Sequence, residues 1–474
     1  MSKSYEMYLA GEWVDRTEKI TVTSPYDDAI VGTVASAGPE DFLTAIEQAE
    51  HAFEQTRELP AYKRETVCRM IADGLEKRHD EFATMMSREL GKAVKDCRAE
   101  VSRAVGVFRT SAEEAKRVGG EVIDLDWTAG SDGRLGLLRR FPRGVIGGIT
   151  PFNFPLNLVA HKIGPAIASG NSIVLKPATK TPIIALMLAE LIQQTEYPKG
   201  AISILPGSAT SAAPLLADPR VKLITFTGSA EVGWWIKSNA GHKPVVLELG
   251  GNAGAIVADD ADLDWAVSRL LFGAFGSAGQ SCISVQRIYI HEQVHDRCVE
   301  LLLSRVRNLK VGDPADPTTD VGALVDTAAV ERTVQWIKEA KHGGANVLCG
   351  GTAKGRLMEP TVLSNVTRDM SVCSREMFAP VAIVEKYKDF RSAVAAVNDS
   401  EFGLQAGIFT NRMNDIMYAF RRIETGGVVV NDVPTYRVDH MPYGGVKSSG
   451  LGREGVRYAI EDMTEPKLLA LNIR

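Results

Sequence analysis

Apolar positions along the chain change their period several times, and those changes divide it into regions. Phe42, Ile46, Ala49 and Phe53 recur at helical spacing behind Pro39-Glu40-Asp41, a proline and two acids suited to a first helical turn. The same spacing runs from about Tyr62 to Leu90 through Val67, Met70, Ile71, Leu75, Phe82, Met85 and Met86. It predicts one long helix, capped by Gly91. Another helix is predicted over about Val94 to Lys116, with Val101, Val105 and Phe108 inward. Ahead of the helices, Met7 to Val14 reads as a short extended patch. After Gly119-Gly120 come short extended runs with glycine turns at Gly130 and Gly133, an exposed hairpin or arm reaching to Arg140.

From Val145 the pattern becomes a regular alternation. Apolar runs at Val145–Ile149, Ser172–Leu175, Ile202–Leu205, Leu223–Phe226 and Val245–Leu249 are too short and too uniformly apolar to be half-exposed strands. Helical stretches at 156–168, 182–194, 211–217 and 230–239 separate them. Buried strands divided by helices predict βαβ units and a parallel sheet covered on both faces. A second such series follows, with strands at 254–258, 286–291, 381–387, 406–409 and 427–431. Its helices are predicted at 263–274, 294–308, 328–342, 392–398 and 413–423. A glycine-rich loop from Met441 to Gly455, a helix and an extended run over Lys467–Asn472 close the chain. The fold class is α/β, and on such sheets ligands sit at the carboxyl ends of the strands.

Composition narrows the function classes. The 474 residues carry 54 Lys+Arg against 59 Asp+Glu, a net charge of −5, with no strongly basic half and no run of like charge. Nothing in that balance favours nucleic acid. The six cysteines are scattered with no C-x-x-C, which disfavours a zinc site and a disulfide framework. The polar start and the lack of a long apolar run predict no membrane span and a soluble, cytoplasmic protein.

The segments after the predicted strands hold the candidate chemistry. Thr150-Pro151-Phe152-Asn153-Phe154-Pro155 holds an asparagine between two prolines, stiff enough to aim its amide at a developing oxyanion, or simply a turn. Lys176 ends a strand and suits a ribose hydroxyl or a phosphate, with a solvated lysine as the alternative. Thr227-Gly228-Ser229 leads into a helix whose free N–H groups favour a phosphate, although no G-x-G-x-x-G is present. Glu248 interrupts an apolar run before two glycines; it is either a general base raised by burial or a carboxylate bonded to backbone. Gly276-Ser277-Ala278-Gly279-Gln280-Ser281-Cys282 sets a cysteine among small residues that leave its thiol open to approach. Taken alone, Cys282 reads as a packed thiol.

The set in this order resembles the aldehyde dehydrogenase superfamily. Pro151-Phe152-Asn153-Phe154-Pro155, Leu175-Lys176-Pro177, Phe226-Thr227-Gly228-Ser229, Leu247-Glu248-Leu249-Gly250-Gly251 and Gly279-Gln280-Ser281-Cys282 carry the resemblance. Glu376-Met377-Phe378-Ala379-Pro380, Asn398 to Leu404, and Pro442-Tyr443-Gly444-Gly445 with Lys447 to Gly450 extend it over almost the whole chain. The segments 157–162 and 431–441 look most like the branch that includes lactaldehyde dehydrogenases. The resemblance implies a Rossmann-like cofactor domain (1–120 and 142–249), an α/β catalytic domain (250–450) and a small β oligomerisation arm (121–141 and 458–474). It implies a homodimer or homotetramer.

It also implies roles. Cys282 would be the nucleophile, Asn153 and the Cys282 N–H the oxyanion donors, and Glu248 the base that activates water. Thr150, Pro151, Phe152, Lys176, Thr179, Gly228, Ser229, Glu376 and Phe378 would contact NAD or NADP; no metal is implied. NAD-preferring relatives commonly carry a glutamate at the position of Thr179, so threonine followed by Lys180 leaves a 2′-phosphate acceptable. Arg103, Arg109, Arg437 and His440 lie on segments expected near the substrate mouth and point to a small hydroxylated or anionic aldehyde. The rival readings are a CoA-acylating aldehyde dehydrogenase, disfavoured by the presence of Glu248, and a nucleotide-free cysteine thioesterase, disfavoured by the cofactor motifs.

Overall fold

The structure, a computed structural model, describes residues 3–473. Two large sheets dominate it. In the first, Val245–Glu248, Val221–Thr227, Val145–Ile149, Ser172–Lys176 and Ile202–Ile204 lie side by side and parallel. The two alternating series predicted from sequence are therefore present as parallel strands. The first sheet gains antiparallel edges that the pattern did not announce. Met7–Leu9 and Glu12–Val14 extend one side, and Gly450–Leu451 pairs with Val245–Glu248 on the other.

Strand order reverses beside Val145–Ile149, which has Val221–Thr227 on one flank and Ser172–Lys176 on the other. Ligand crevices open at such a reversal, outside the carboxyl ends of the strands. Register sets what faces that crevice: Ile149 pairs with Phe226, and Thr227 with Glu248. Asn153, Gly228 and Glu248 thus emerge at one level.

The second sheet orders Asn346–Cys349, Thr361–Ser364, Val381–Tyr387, Val285–His291, Ala253–Val257, Gln405–Phe409 and Gly427–Val430. Only its first pair is antiparallel. A third sheet joins Gly120–Asp124, Arg134–Pro142 and Thr464–Asn472, all antiparallel. The predicted hairpin and the closing strand therefore meet, and the latter starts three residues earlier than the apolar run indicated. Among the described residues no helix is long and apolar enough to cross a membrane.

Helix Pro39–Thr56 begins with its proline, and the Asp41 carboxylate accepts the Gly38 N–H at 2.9 Å. The single helix expected from Tyr62 to Leu90 is two, Ala61–Lys77 and His79–Leu90. Arg78 leaves helical geometry (φ −102°, ψ 21°) and forks between Glu81 and Glu190 at 2.7 and 2.8 Å. Asp80 and Glu81 restart the helix as first-turn acids. No glycine or proline marks this break, so periodicity carried across it. Gly91 caps the second piece at φ 71°, as expected. Of the helix expected over 211–217, only Pro214–Ala217 is helical. Helix Asn157–Ser169 is buried on every side, yet it contains His161 and Lys162.

Candidate active site

Helix Leu263–Phe275 delivers the chain to a cavity of about 760 Å3 between the two large sheets. There Ser277 (φ 52°, ψ 31°), Ala278 (φ 55°, ψ 34°) and Gly279 (φ +67°) form a left-handed turn. Non-glycine residues avoid that region, and such strain persists only where the surroundings impose it. Here they do. The Asp96 carboxylate accepts the Ser277 N–H at 3.0 Å, and the Asn153 amide donates to the Gln280 carbonyl at 3.0 Å. The Gln280 side chain receives the Val325 N–H at 2.9 Å. A Cβ on Gly279 would stand 2.1 Å from the Ala379 carbonyl oxygen, so glycine is the only residue that fits.

Cys282 follows this turn and lines the cavity. Burial pushes its thiol up to about 12, with a hydrogen bond to Tyr443 working the other way. The Cys282 N–H has no acceptor among the described residues. Asn153 is 5% exposed. Its carbonyl accepts Lys92 Nζ at 3.3 Å, and Lys92 is itself paired with buried Glu100 at 2.8 Å. One N–H of the Asn153 amide is engaged by Gln280, which leaves the second for a ligand.

Glu248 ends its strand with a side chain that is buried and unsatisfied. Neither carboxylate oxygen has a partner among the described residues. Burial, then the nearby Glu454 charge, hold its pKa well above the usual carboxylate range, against Arg437, Lys162 and Arg453. The cations around it are already committed. Arg437 pairs with Glu454 at 2.7 Å, and Lys162 donates to Thr225 and Thr227 at 3.0 and 2.9 Å. Of the two carboxyl groups, Glu248 is therefore the one held high and Glu454, ion-paired to Arg437, the one held low.

Six of the nine residues expected at a cofactor line the same cavity: Pro151, Phe152, Gly228, Ser229, Glu376 and Phe378. Phe152 and Phe378 meet edge to face at 5.9 Å. The Glu376 carboxylate accepts the Gly251 N–H at 2.8 Å, and burial pushes it up to about 7. Thr150, Lys176 and Thr179 are not part of that lining: the first two are buried and Thr179 is exposed. Thr150 Oγ1 is buried with no partner, and Thr179 donates to the Gly207 carbonyl at 3.1 Å. Burial lowers Lys176 to about 8, and its ammonium donates to the Pro177 carbonyl at 3.2 Å. Lys180 does reach the cavity, in an ion pair with Asp326.

Of the basic residues expected at the substrate mouth, the structure brings two to the cavity. Arg103 lines it and pairs with Asp439 at 2.6 Å; Arg437 lines it with its guanidinium over the Tyr443 ring. Arg109 instead pairs with Glu76 on an exposed surface, and His440 is exposed outside the cavity wall. The site also contains groups that the sequence pattern did not single out. Asp439 gathers Arg103, His161 (2.9 Å) and Asn157 (3.3 Å), and Tyr443 reaches the Cys282 sulfur at 2.9 Å. The available signal was the pair His161-Lys162 inside an otherwise apolar helix, which burial allows only if both are partnered.

Comparison with known proteins places this arrangement. The aldehyde dehydrogenase family matches residues 13–469. A 3-sulfolactaldehyde dehydrogenase of Priestia megaterium is 44% identical over 472 residues, covering 99% of this chain and 98% of its own. The crystal structure of aldehyde dehydrogenase 21 from Physcomitrella patens, in complex with the reaction product succinate, superposes with a TM-score of 0.98 at 43% identity, over 100% of this chain and 99% of that one. The glyceraldehyde-3-phosphate dehydrogenase GapN of Methanocaldococcus jannaschii, complexed with NADP, superposes with a TM-score of 0.93 at 38% identity, over 97% and 100%. On its site, its fold and its sequence, the chain belongs to the aldehyde dehydrogenase family.

Proposed function

We propose that the chain oxidises a small aldehyde bearing a hydroxyl or anionic group to its carboxylate, with NAD or NADP as the acceptor. The observation that carries this reading is the convergence of Cys282, the Asn153 amide and the unsatisfied Glu248 carboxylate on one cavity. The Cys282 sulfur attacks the aldehyde carbon, and the carbonyl oxygen becomes an oxyanion. The free Asn153 N–H and the Cys282 N–H receive it; one such donor is worth about 10²–10³ in rate. When bound, the nicotinamide cofactor supplies the hydride acceptor. The acyl group then left on Cys282 is a thioester. Glu248 takes a proton from the water that attacks it, and the thiol is restored as the carboxylate leaves.

The residues present fit a dinucleotide. Glycine at 250 leaves room beside Glu376, where a Cβ would stand 2.4 Å from its Oε2. The unsatisfied Thr150 hydroxyl and the buried Lys176 ammonium supply polar atoms at the strand ends. Lys176 and Glu376 would hold ribose hydroxyls, Gly228 and Ser229 the pyrophosphate, and Phe378 the nicotinamide. Thr179 and Lys180 in place of a carboxylate favour tolerance of a 2′-phosphate. The first sheet is assigned to the cofactor, the second to catalysis and the third to oligomer formation.

The substrate class rests on Arg103 and Arg437 in the cavity wall. Three relatives support it, since a sulfonate, a second carboxylate and a phosphate appear in the names of what they act on or hold. The test is a panel of short aldehydes against both cofactors. Sulfonated, phosphorylated, carboxylated or hydroxylated aldehydes should give the highest kcat/KM; long alkyl aldehydes winning throughout would refute the substrate class. Cys282→Ala should retain cofactor binding and lose turnover, and surviving turnover would refute the mechanism.

A further inference from the structure

The hydroxyl of Tyr443 lies 2.9 Å from the sulfur of Cys282, a close approach for an atom of sulfur's size. Tyr443 is 3% exposed, and this is the one side-chain hydrogen bond its hydroxyl makes among the described residues. Its ring is covered by the Arg437 guanidinium, 3.8 Å from the centroid. Arg437 is fixed there by Glu454 at 2.7 Å and by a contact with His161 at 3.2 Å. A cation on the face of a phenol draws electron density from the ring, making the hydroxyl a better donor and a poorer acceptor. In a contact where either atom could donate, that polarisation favours oxygen as the donor and sulfur as the acceptor.

We propose that Tyr443, backed by Arg437, is a catalytic residue that donates a hydrogen bond to the Cys282 thiolate and thereby raises its population in a buried site. This rests on the reading of Cys282 as nucleophile. The thiol's proton passes to solvent, Tyr443 keeps its own, and the sulfur's electron pair later forms the bond to the aldehyde carbon. The charged and titratable groups facing the sulfur are Tyr443, Glu376, Arg437 and Glu248. Of these, Tyr443 and Arg437 favour the thiolate and the two carboxyl groups oppose it. Cys282 also packs against the apolar side chains of Ile283 and Leu404.

The experiment is alkylation of the cofactor-free chain with iodoacetamide between pH 7 and 9. Peptide mapping isolates Cys282 from the other five cysteines. A hydrogen bond to an ionised group is worth about one pKa unit or more, so Tyr443→Phe should cut the thiolate fraction about tenfold. The freed thiolate is more basic and more nucleophilic, with a Brønsted slope of about 0.4–0.5, so the alkylation rate should fall only about threefold. Fluorotyrosine at position 443 retains the ring and strengthens the donor, and it should raise the rate above wild type. Opposite movements in two variants with unchanged melting temperatures are not what a merely structural side chain would produce.

An unchanged or faster rate in Tyr443→Phe would overturn the proposal, because sulfur would then be the donor or the contact without effect. Should Tyr443→Phe fail to fold, the fluorotyrosine arm decides alone: no acceleration overturns it. Alkylation needs neither aldehyde nor cofactor. A Cys282→Ala variant that kept its turnover would thus sink the functional reading while leaving this measurement intact.

Discussion

The pair Lys92–Glu100 offers the sharpest test of how the site is held in place. Both side chains are essentially inaccessible, at 2% and 0% exposure, with 2.8 Å between Nζ and Oε2. The other Glu100 oxygen accepts the Leu156 and Asn157 N–H groups at 3.0 and 3.1 Å. Lys92 also donates to the Asn153 carbonyl and sits 3.7 Å from the centroid of Phe154. Glu100→Gln keeps the shape but forces a conflict. Its amide must turn its N–H groups either toward the ammonium or toward the two backbone donors. Breaking a buried pair from one side costs about 3–5 kcal/mol. Because Lys92 keeps the Phe154 ring and the Asn153 carbonyl, the lower end, about 3 kcal/mol, is expected.

Adding Lys92→Met removes the stranded ammonium and lets the introduced amide face Leu156 and Asn157 with its oxygen. The double variant should therefore recover most of the loss. Its activity should not recover with it, since the Asn153 carbonyl has lost its donor; kcat should remain at least about tenfold low, a fraction of what one oxyanion donor supplies. The assay is urea denaturation followed at its first transition, alongside steady-state kinetics. A loss below about 1 kcal/mol in Glu100→Gln, or no recovery in the double variant, would refute the reasoning.

Two further outcomes follow from the same geometry. A Cβ on Gly251 would stand 2.1 Å from the Cys282 carbonyl oxygen, a clash no rotamer relieves. Gly251→Ala should thus displace the nucleophile and cut kcat about a hundredfold, and near-normal kcat would contradict the packing. Glu376 has its pKa raised by burial from 4.5 to about 7, so the native state retains a proton that the unfolded chain releases between those values. Stability falls as pH rises through that window, by about 3 kcal/mol in all. Glu376→Gln should be more stable than wild type at pH 8 and nearly equal at pH 4.5. A difference that does not vary with pH would contradict the assignment.

How much of this was legible in the sequence depended on whether the signal was local. Parallel strands buried on both faces announce themselves as short apolar runs, and the residues just past them, Asn153, Gly228 and Glu248, fell where strand register places them. The break at Arg78 was invisible because no glycine or proline marks it; the pairs Arg78 makes there, with Glu81 and with Glu190 of a distant helix, leave no trace in periodicity. Arg109 could not be told from Arg103 by spacing. Both sit on helix Val94–Glu114, and only packing shows that one reaches Asp439 and the other Glu76. Tyr443, Asp439 and Glu454 arrive on loops from the far end of the chain, and their partners are set by topology that no periodicity encodes.

The central claim is that Glu248 activates the water that releases the acyl group from Cys282. Intact-mass analysis of Glu248→Gln, mixed with a small aldehyde and the oxidised cofactor, tests it most directly. A general base contributes about 10²–10⁴ in rate, so the variant should give a burst of reduced cofactor close to one per site and then stall. It should carry one added acyl mass on Cys282. Turnover at the wild-type steady-state rate, with no acyl adduct, would contradict the account.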